Sequence, residues 1–129
     1  MKKRLCAIRG ACFCENTPDS IQQNVADMCR QLFCKNHLKE RDLVSIQFTM
    51  TRTLDCLNAA SALRKSDVGL DVSKVPLFVS QEAFTKGSPD KVIRVLVSAY
   101  MKKGRAAKSV YINGAQSLRA DIFAVDASE

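Results

Sequence analysis

Six side chains in this sequence have the chemistry to hold a small acid: Arg9, Arg64, Arg94, Arg119, the carboxylate of Glu82 and the phenol of Tyr111. Arg94 sits inside KVIRVLVSAY, the longest β-branched run of the chain, where Val92, Ile93, Val95, Leu96 and Val97 predict a central strand. A guanidinium keeps its proton, so an arginine in such a strand must find an anion or reach out to water. Arg9 repeats the pattern in LCAIRGA, and Glu82 ends the apolar stretch VPLFVSQE. Several fixed cations, one carboxylate and one phenol suit binding of a small dicarboxylic acid better than proton shuttling. There is no P-loop, no dinucleotide-binding glycine motif, no nucleophile elbow and no metal-ligand cluster.

The whole sequence bounds that reading. At 129 residues, with 26% charged and 47% hydrophobic residues, it fits one ordinary globular domain spanning 1–129. The formal charge of +7 favours an anionic partner. Its basic clusters are short, Lys2 to Arg4 and Lys102 to Lys108, with only Tyr100 and Tyr111 nearby, so nucleic acid is not the expected partner. The opening MKKRLCAIRG breaks its apolar run at Arg9, unlike a signal peptide, and no run approaches a membrane span. A cytoplasmic protein without membrane contact is expected. Its six cysteines are expected to be reduced and structural, because Cys12 and Cys14 lack the usual metal-ligand spacing. His37 is the sole histidine.

The elements that position these residues alternate. A strand is predicted over Lys3 to Cys14. Thr17-Pro18-Asp19 then starts a helix running to about Asn36, with Ile21, Val25, Met28, Cys29 and Leu32 on one face. Val44, Ile46, Phe48 and Met50 alternate with Ser45, Gln47 and Thr49, as a half-buried strand does. Asn58 caps a short second helix, Ala59 to about Lys65, with Ala60 and Leu63 inward. Strands follow over Val75 to Glu82, Lys91 to Tyr100 and Ser109 to Ile112, and Asn113-Gly114 marks a turn. The order βαβαβββ predicts an α+β fold, a mixed sheet with two helices on one face.

An ordered set of landmarks runs through nearly the whole chain: Ala7-Ile8-Arg9-Gly10-Ala11, Asn36-His37, Ala60 with Arg64, Val75-Pro76 leading to Gln81-Glu82, Ile93-Arg94-Val95, Val110-Tyr111, and Leu118-Arg119 with Asp121. In this set the sequence resembles the AroH class of chorismate mutases. The resemblance implies a cofactor-free isomerase converting chorismate to prephenate for phenylalanine and tyrosine synthesis. It also implies a homotrimer, a pseudo-α/β barrel with active sites at the subunit interfaces. By similarity Arg94 and Glu82 are the catalytic pair. Arg94 would contact the ether oxygen and a carboxylate, and Glu82 would accept from the ring hydroxyl. Arg9 and Tyr111 would hold a carboxylate, and Leu118 would line the pocket. Asn58, Ala60 and Arg64 would approach from a neighbouring subunit. Arg119, on a mobile tail over 116–129, would guide or cover the substrate.

The sequence departs from that family at several positions. Phe78 and Val79 stand where members often carry a small polar residue and a cysteine facing the substrate. Asn58 replaces an aromatic residue, Ser61 a lysine and Ala120 a proline, and the loop Ser66 to Lys74 is longer. The alternatives from other classes are a same-fold trimer of enamine/imine deaminase type and a non-catalytic basic binding module. The start Ile8-Arg9-Gly10-Ala11 and Tyr111 argue against the deaminase.

Overall fold

The computed structural model describes residues 2–119. Five strands and two helices follow in the expected order: β1 (Lys3–Phe13), α1 (Pro18–Lys35), β2 (Leu43–Met50), α2 (Ala59–Arg64), β3 (Leu77–Gln81), β4 (Val92–Lys102) and β5 (Val110–Ile112). Single 3-10 turns cover Glu40–Asp42 and Ala115–Arg119. Asp121 and Ala120 lie outside the described residues, as does most of the tail expected to be mobile.

α1 begins where its sequence says it should. The Thr17 hydroxyl accepts from Ser20 N at 3.1 Å, and Pro18 occupies the first turn, where its missing N–H costs nothing. Ile21, Val25, Met28, Cys29, Leu32 and Phe33 are buried along one face. Each such side chain contributes about 1.5–3 kcal/mol on leaving water. The helix stops at Asn36, and His37 turns left-handed at φ 54. The Asn36 amide is 2% exposed. Its Nδ2 donates to Leu32 O at 2.8 Å and to Lys108 O at 2.9 Å, while Oδ1 accepts from Lys108 N at 2.7 Å. The end of α1 is thereby tied to the segment leading into β5.

The sheet order is β3-β2-β4-β1-β5, with β4 central as predicted. β4 runs antiparallel to β1 and β2, while β3 lies parallel to β2 and β5 parallel to β1. One face carries Ile8, Cys12, Ile46, Phe48, Ile93, Val95, Val97 and Met101 into the core shared with α1 and α2. Leu96 does not join them. It is 41% exposed on the other face, so the apolar run of β4 serves two environments. Leu5, Tyr100 and Phe78 accompany it there, also exposed.

β5 reaches its place because residue 10 is glycine. A Cβ there would meet Val110 O at 2.9 Å and a methyl of Val95 at 3.0 Å. Only a hydrogen fits between β1 and the strand that carries Tyr111. After β5, Asn113 and Gly114 turn left-handed, and Asn113 Nδ2 donates to Phe13 O at 2.6 Å. The 3-10 turn then folds back over the sheet, where Ala115 and Leu118 pack with Ala11, Phe13 and Tyr111 as a second small apolar cluster.

Candidate active site

Strand pairing sets the site out as two rows across the exposed face of the sheet. The first runs Ser80, Thr49, Arg94, Ala11, Tyr111 through all five strands; the second runs Phe78, Gln47, Leu96, Arg9. Paired residues share a face, so these side chains stand side by side at strand spacing. All of them but the buried Ala11 line one cleft of about 440 Å³, which Arg119 also borders. Arg94 and Tyr111 are two strands apart, about 10 Å, and Ala11 on the strand between them is fully buried in the small apolar cluster with Ala115. The volume of the cleft is that of a metabolite site.

Arg94 meets the requirement its sequence context set. Its Nε donates to Glu82 Oε1 at 2.9 Å, and the Thr49 hydroxyl donates to the same oxygen at 2.9 Å. The Arg94 side chain is 38% exposed and that of Glu82 17% exposed, so the pair is partly shielded from solvent. Glu82 is fixed from behind, because its N–H donates to Met50 O at 2.9 Å. Both bonds to its carboxylate fall on Oε1, and the terminal amino groups of Arg94 have no hydrogen-bond partner among the described residues. A rigid guanidinium fork is thus presented to the cleft with one edge anchored.

The sequence-predicted residues divide into four groups, of which Val79 alone forms the last. Arg9, Arg94, Tyr111, Arg119 and Phe78 border the cleft, and Glu82 joins it through Arg94 while lining a smaller adjoining cavity. Leu118 packs in the apolar cluster beneath Tyr111, next to the cleft. Asn58, Ala60 and Arg64 lie on α2, away from the cleft of their own chain. Asn58 spends its side chain as the helix cap, accepting from Ala60 N at 2.8 Å and Ser61 N at 3.4 Å, and Ala60 is buried.

Val79 pairs with Phe48 on the helix side of the sheet and packs against the core, and it is not among the residues lining the cleft of its own chain. Alternation puts Phe78 and Ser80 on the cleft side instead. Thr49, Gln47 and Ser80 were missed as site residues. The signal for Thr49 and Gln47 was present in the polar alternation of β2, which faces the strand of Arg94.

All six cysteines are free; Cys6, Cys12, Cys14 and Cys29 are buried, and Cys34 and Cys56 are exposed. Burial pushes the thiol pKa of Cys14 up to about 11 and that of Cys29 up to about 12, so both are neutral core groups at pH 7. No group of His, Cys, Asp and Glu among the described residues could hold a metal. No helix of the described residues is long and apolar enough to cross a membrane.

An α+β sheet with an arginine–carboxylate pair at the centre of a cationic cleft defines the class: a metabolite-binding domain of the chorismate mutase fold. The family model for chorismate mutase type I matches residues 5–122, and the chain belongs to that family. A solved structure, the chorismate mutase from Clostridium thermocellum, is 33% identical, covers 87% of this chain and 98% of its own, and superposes with a TM-score of 0.75. A search of curated proteins gave no match. These matches place the chain with chorismate mutases rather than with deaminases of similar fold.

Proposed function

We propose that the chain converts chorismate to prephenate at this cleft, with Arg94 and Glu82 as catalytic residues. The observation that carries the reading is the anchored guanidinium of Arg94 beside Arg9, Tyr111 and Arg119. A pericyclic rearrangement needs no nucleophile and no general base. It needs the substrate folded into its reactive conformer and positive charge where the breaking C–O bond grows negative. The terminal amino groups of Arg94 supply that charge at the ether oxygen. Oε2 of Glu82 accepts from the ring hydroxyl, Arg9 and Tyr111 hold a carboxylate, and Arg119 closes the entrance. No step calls for a cofactor, and His37 lies in a different concavity.

The active unit in this reading is a homotrimer. Leu96 and Phe78 leave an apolar surface at the cleft on the side of the sheet that no α-helix covers. A neighbouring subunit laid there would bring Asn58, Ala60 and Arg64 of its α2 to the site and exclude water. The chemistry is tested by incubating the purified protein with chorismate and following loss of the diene absorbance together with prephenate formation; no loss over the uncatalysed rate refutes it. The shared site is tested by reversibly dissociating and mixing Glu82→Ala and Arg64→Ala proteins. Recovery of part of the activity supports it, and a fully active monomer in sedimentation refutes it.

A further inference from the structure

The cleft does not account for most of the positive charge of the molecule. At the other end of the sheet a second concavity of about 530 Å³ is lined by Lys3, His37, Lys39, Arg41, Lys102 and Arg105, with Asp42 and Tyr100 in its walls. Lys3 and Arg9 are six residues apart on β1, about 20 Å, so this concavity is separate from the cleft. Five fixed cations face one carboxylate, which gathers four of the seven net charges of the chain in one place.

The single carboxylate does not neutralise the group. Asp42 is 4% exposed and already engaged: it pairs with Lys3 Nζ and accepts from Lys39 N at 2.9 Å. Lys39, Arg41, Lys102 and Arg105 make no ion pair among the described residues. They come from different parts of the fold, the connection after α1 and the end of β4 with its turn, and the turn is pinned. Arg105 N donates to Lys102 O at 3.1 Å, Lys103 N to Lys2 O at 3.0 Å, and Asn36 grips Lys108 from the end of α1. The Debye length at physiological salt is roughly 8 Å, so cations lining one hollow of this volume repel one another and screening only partly relieves it. Ordered cations converging on a hollow are offset best by an anion bound inside it.

We propose that this concavity is a binding site for a small polyanion carrying two or more phosphate groups. Each phosphate brings a charge of about −1.5 to −2, so two of them balance the lining. Arg41 and Arg105 offer planar forks that match phosphate oxygens, and the lysines add point charges. The exposed ring of Tyr100 provides a flat apolar wall for whatever the phosphates are attached to.

His37, the sole histidine and part of the lining, is a built-in reporter. Its ring proton resonances are followed during titration with pyrophosphate and, separately, with adenosine diphosphate, alongside calorimetry. Saturable shifts with a matching heat are expected. Tighter binding of the nucleotide assigns a contact to Tyr100, and equal binding assigns recognition to the phosphates alone; both outcomes support the site. The double variant Lys102→Glu/Arg105→Glu, or Arg105→Gln alone where the double variant fails to fold by circular dichroism, weakens pyrophosphate at least about tenfold. Arg94→Ala leaves its affinity within about twofold, because nothing in the cleft takes part. The proposal is overturned by absence of a saturable shift at millimolar pyrophosphate, or by the same shift with sodium chloride of equal ionic strength. Unchanged binding in the folded variants, or binding lost in Arg94→Ala, overturns it equally.

Discussion

Arg94 and Thr49 are cross-strand partners that donate to the same carboxylate oxygen, Oε1 of Glu82, each at 2.9 Å. Neither bond is remarkable in strength; their common target is what orders the site. Two donors on one oxygen fix the plane of the carboxylate, which in turn holds the guanidinium by its Nε edge. The forward edge of Arg94 and Oε2 of Glu82 are left for a ligand. A charge and an acceptor are thereby set before substrate arrives, which is the preorganisation that an electrostatic catalyst requires.

Replacing Arg94 by alanine should lower kcat at least ~10³-fold, because its charge is felt mainly in the transition state. Arg94→Lys should be nearly as damaging. An ammonium on a flexible stem cannot bond Glu82 with one edge and the ether oxygen with the other. Steady-state kinetics on chorismate decide this, and a lysine variant keeping half the wild-type kcat would rule out the anchored-fork mechanism.

Thr49→Val removes one donor to Oε1 while keeping shape and strand propensity. A hydrogen bond to a charged group contributes about 1.5–3 kcal/mol, and Arg94 still holds the carboxylate, so the loss in kcat/KM should be about 10-fold, at the lower end. Thr49→Ser should recover most of it. Rescue by serine separates positioning of Glu82 from simple packing, since serine restores the hydroxyl and not the methyl.

Much of the fold was legible because its elements follow local rules. Strands and helices fell within a residue or two of their predicted bounds, from the alternation of Ile46, Phe48 and Met50 and from the Thr17 and Asn58 caps. The row of site residues was only half legible. Arg94, Glu82, Arg9 and Tyr111 stood out as charged or polar groups in apolar strands. Which residues join them depends on register, and register is a tertiary property. Thr49 and Ser80 are neighbours of Arg94 only once β2 and β3 are paired. The need for glycine at residue 10 was hidden likewise, because the crowding carbonyl of Val110 lies a hundred residues downstream. Leu96 was read only as part of a central strand, since an apolar run gives no sign of which face lacks helices.

Acid stability should depend on Asp42. Burial alone would raise its pKa, but hydrogen bonds from Lys3 and the Lys39 N–H, with the charges of Lys3 and Arg41, outweigh that and hold it below the usual carboxylate value. The unfolded chain therefore takes up this proton at higher pH than the folded one. The stabilisation is fully present above the unfolded value of about 4 and fades as pH falls through the depressed folded value. Thermal melts of wild type and Asp42→Asn, compared from neutral pH downward, should show the gap in Tm shrinking below about pH 4. A gap that stays constant into strong acid would show that the Lys3 pair contributes nothing to the linkage.

Val79 and Phe78 separate what the cleft reads from what the core holds. Family resemblance put a substrate-facing residue at 79, whereas the register turns Val79 toward Phe48 and the helix side, and Phe78 toward Gln47 and the cleft. Val79→Cys is close in volume and keeps the packing, so its cost should be under about 1.5 kcal/mol of stability with kcat/KM unchanged. Val79→Asp should instead destabilise strongly, because it turns a carboxylate into the apolar core. Phe78 is 64% exposed and should behave in the opposite way. Phe78→Ser removes apolar wall from the cleft without leaving a core cavity, so KM for chorismate should change, and any fall in Tm should come with loss of the trimer. Melting curves and steady-state kinetics on the three proteins decide the assignment. A loss of activity in Val79→Cys at unchanged Tm would place residue 79 against the substrate, and a large fall in Tm for Phe78→Ser with the trimer intact by sedimentation would place residue 78 in the core.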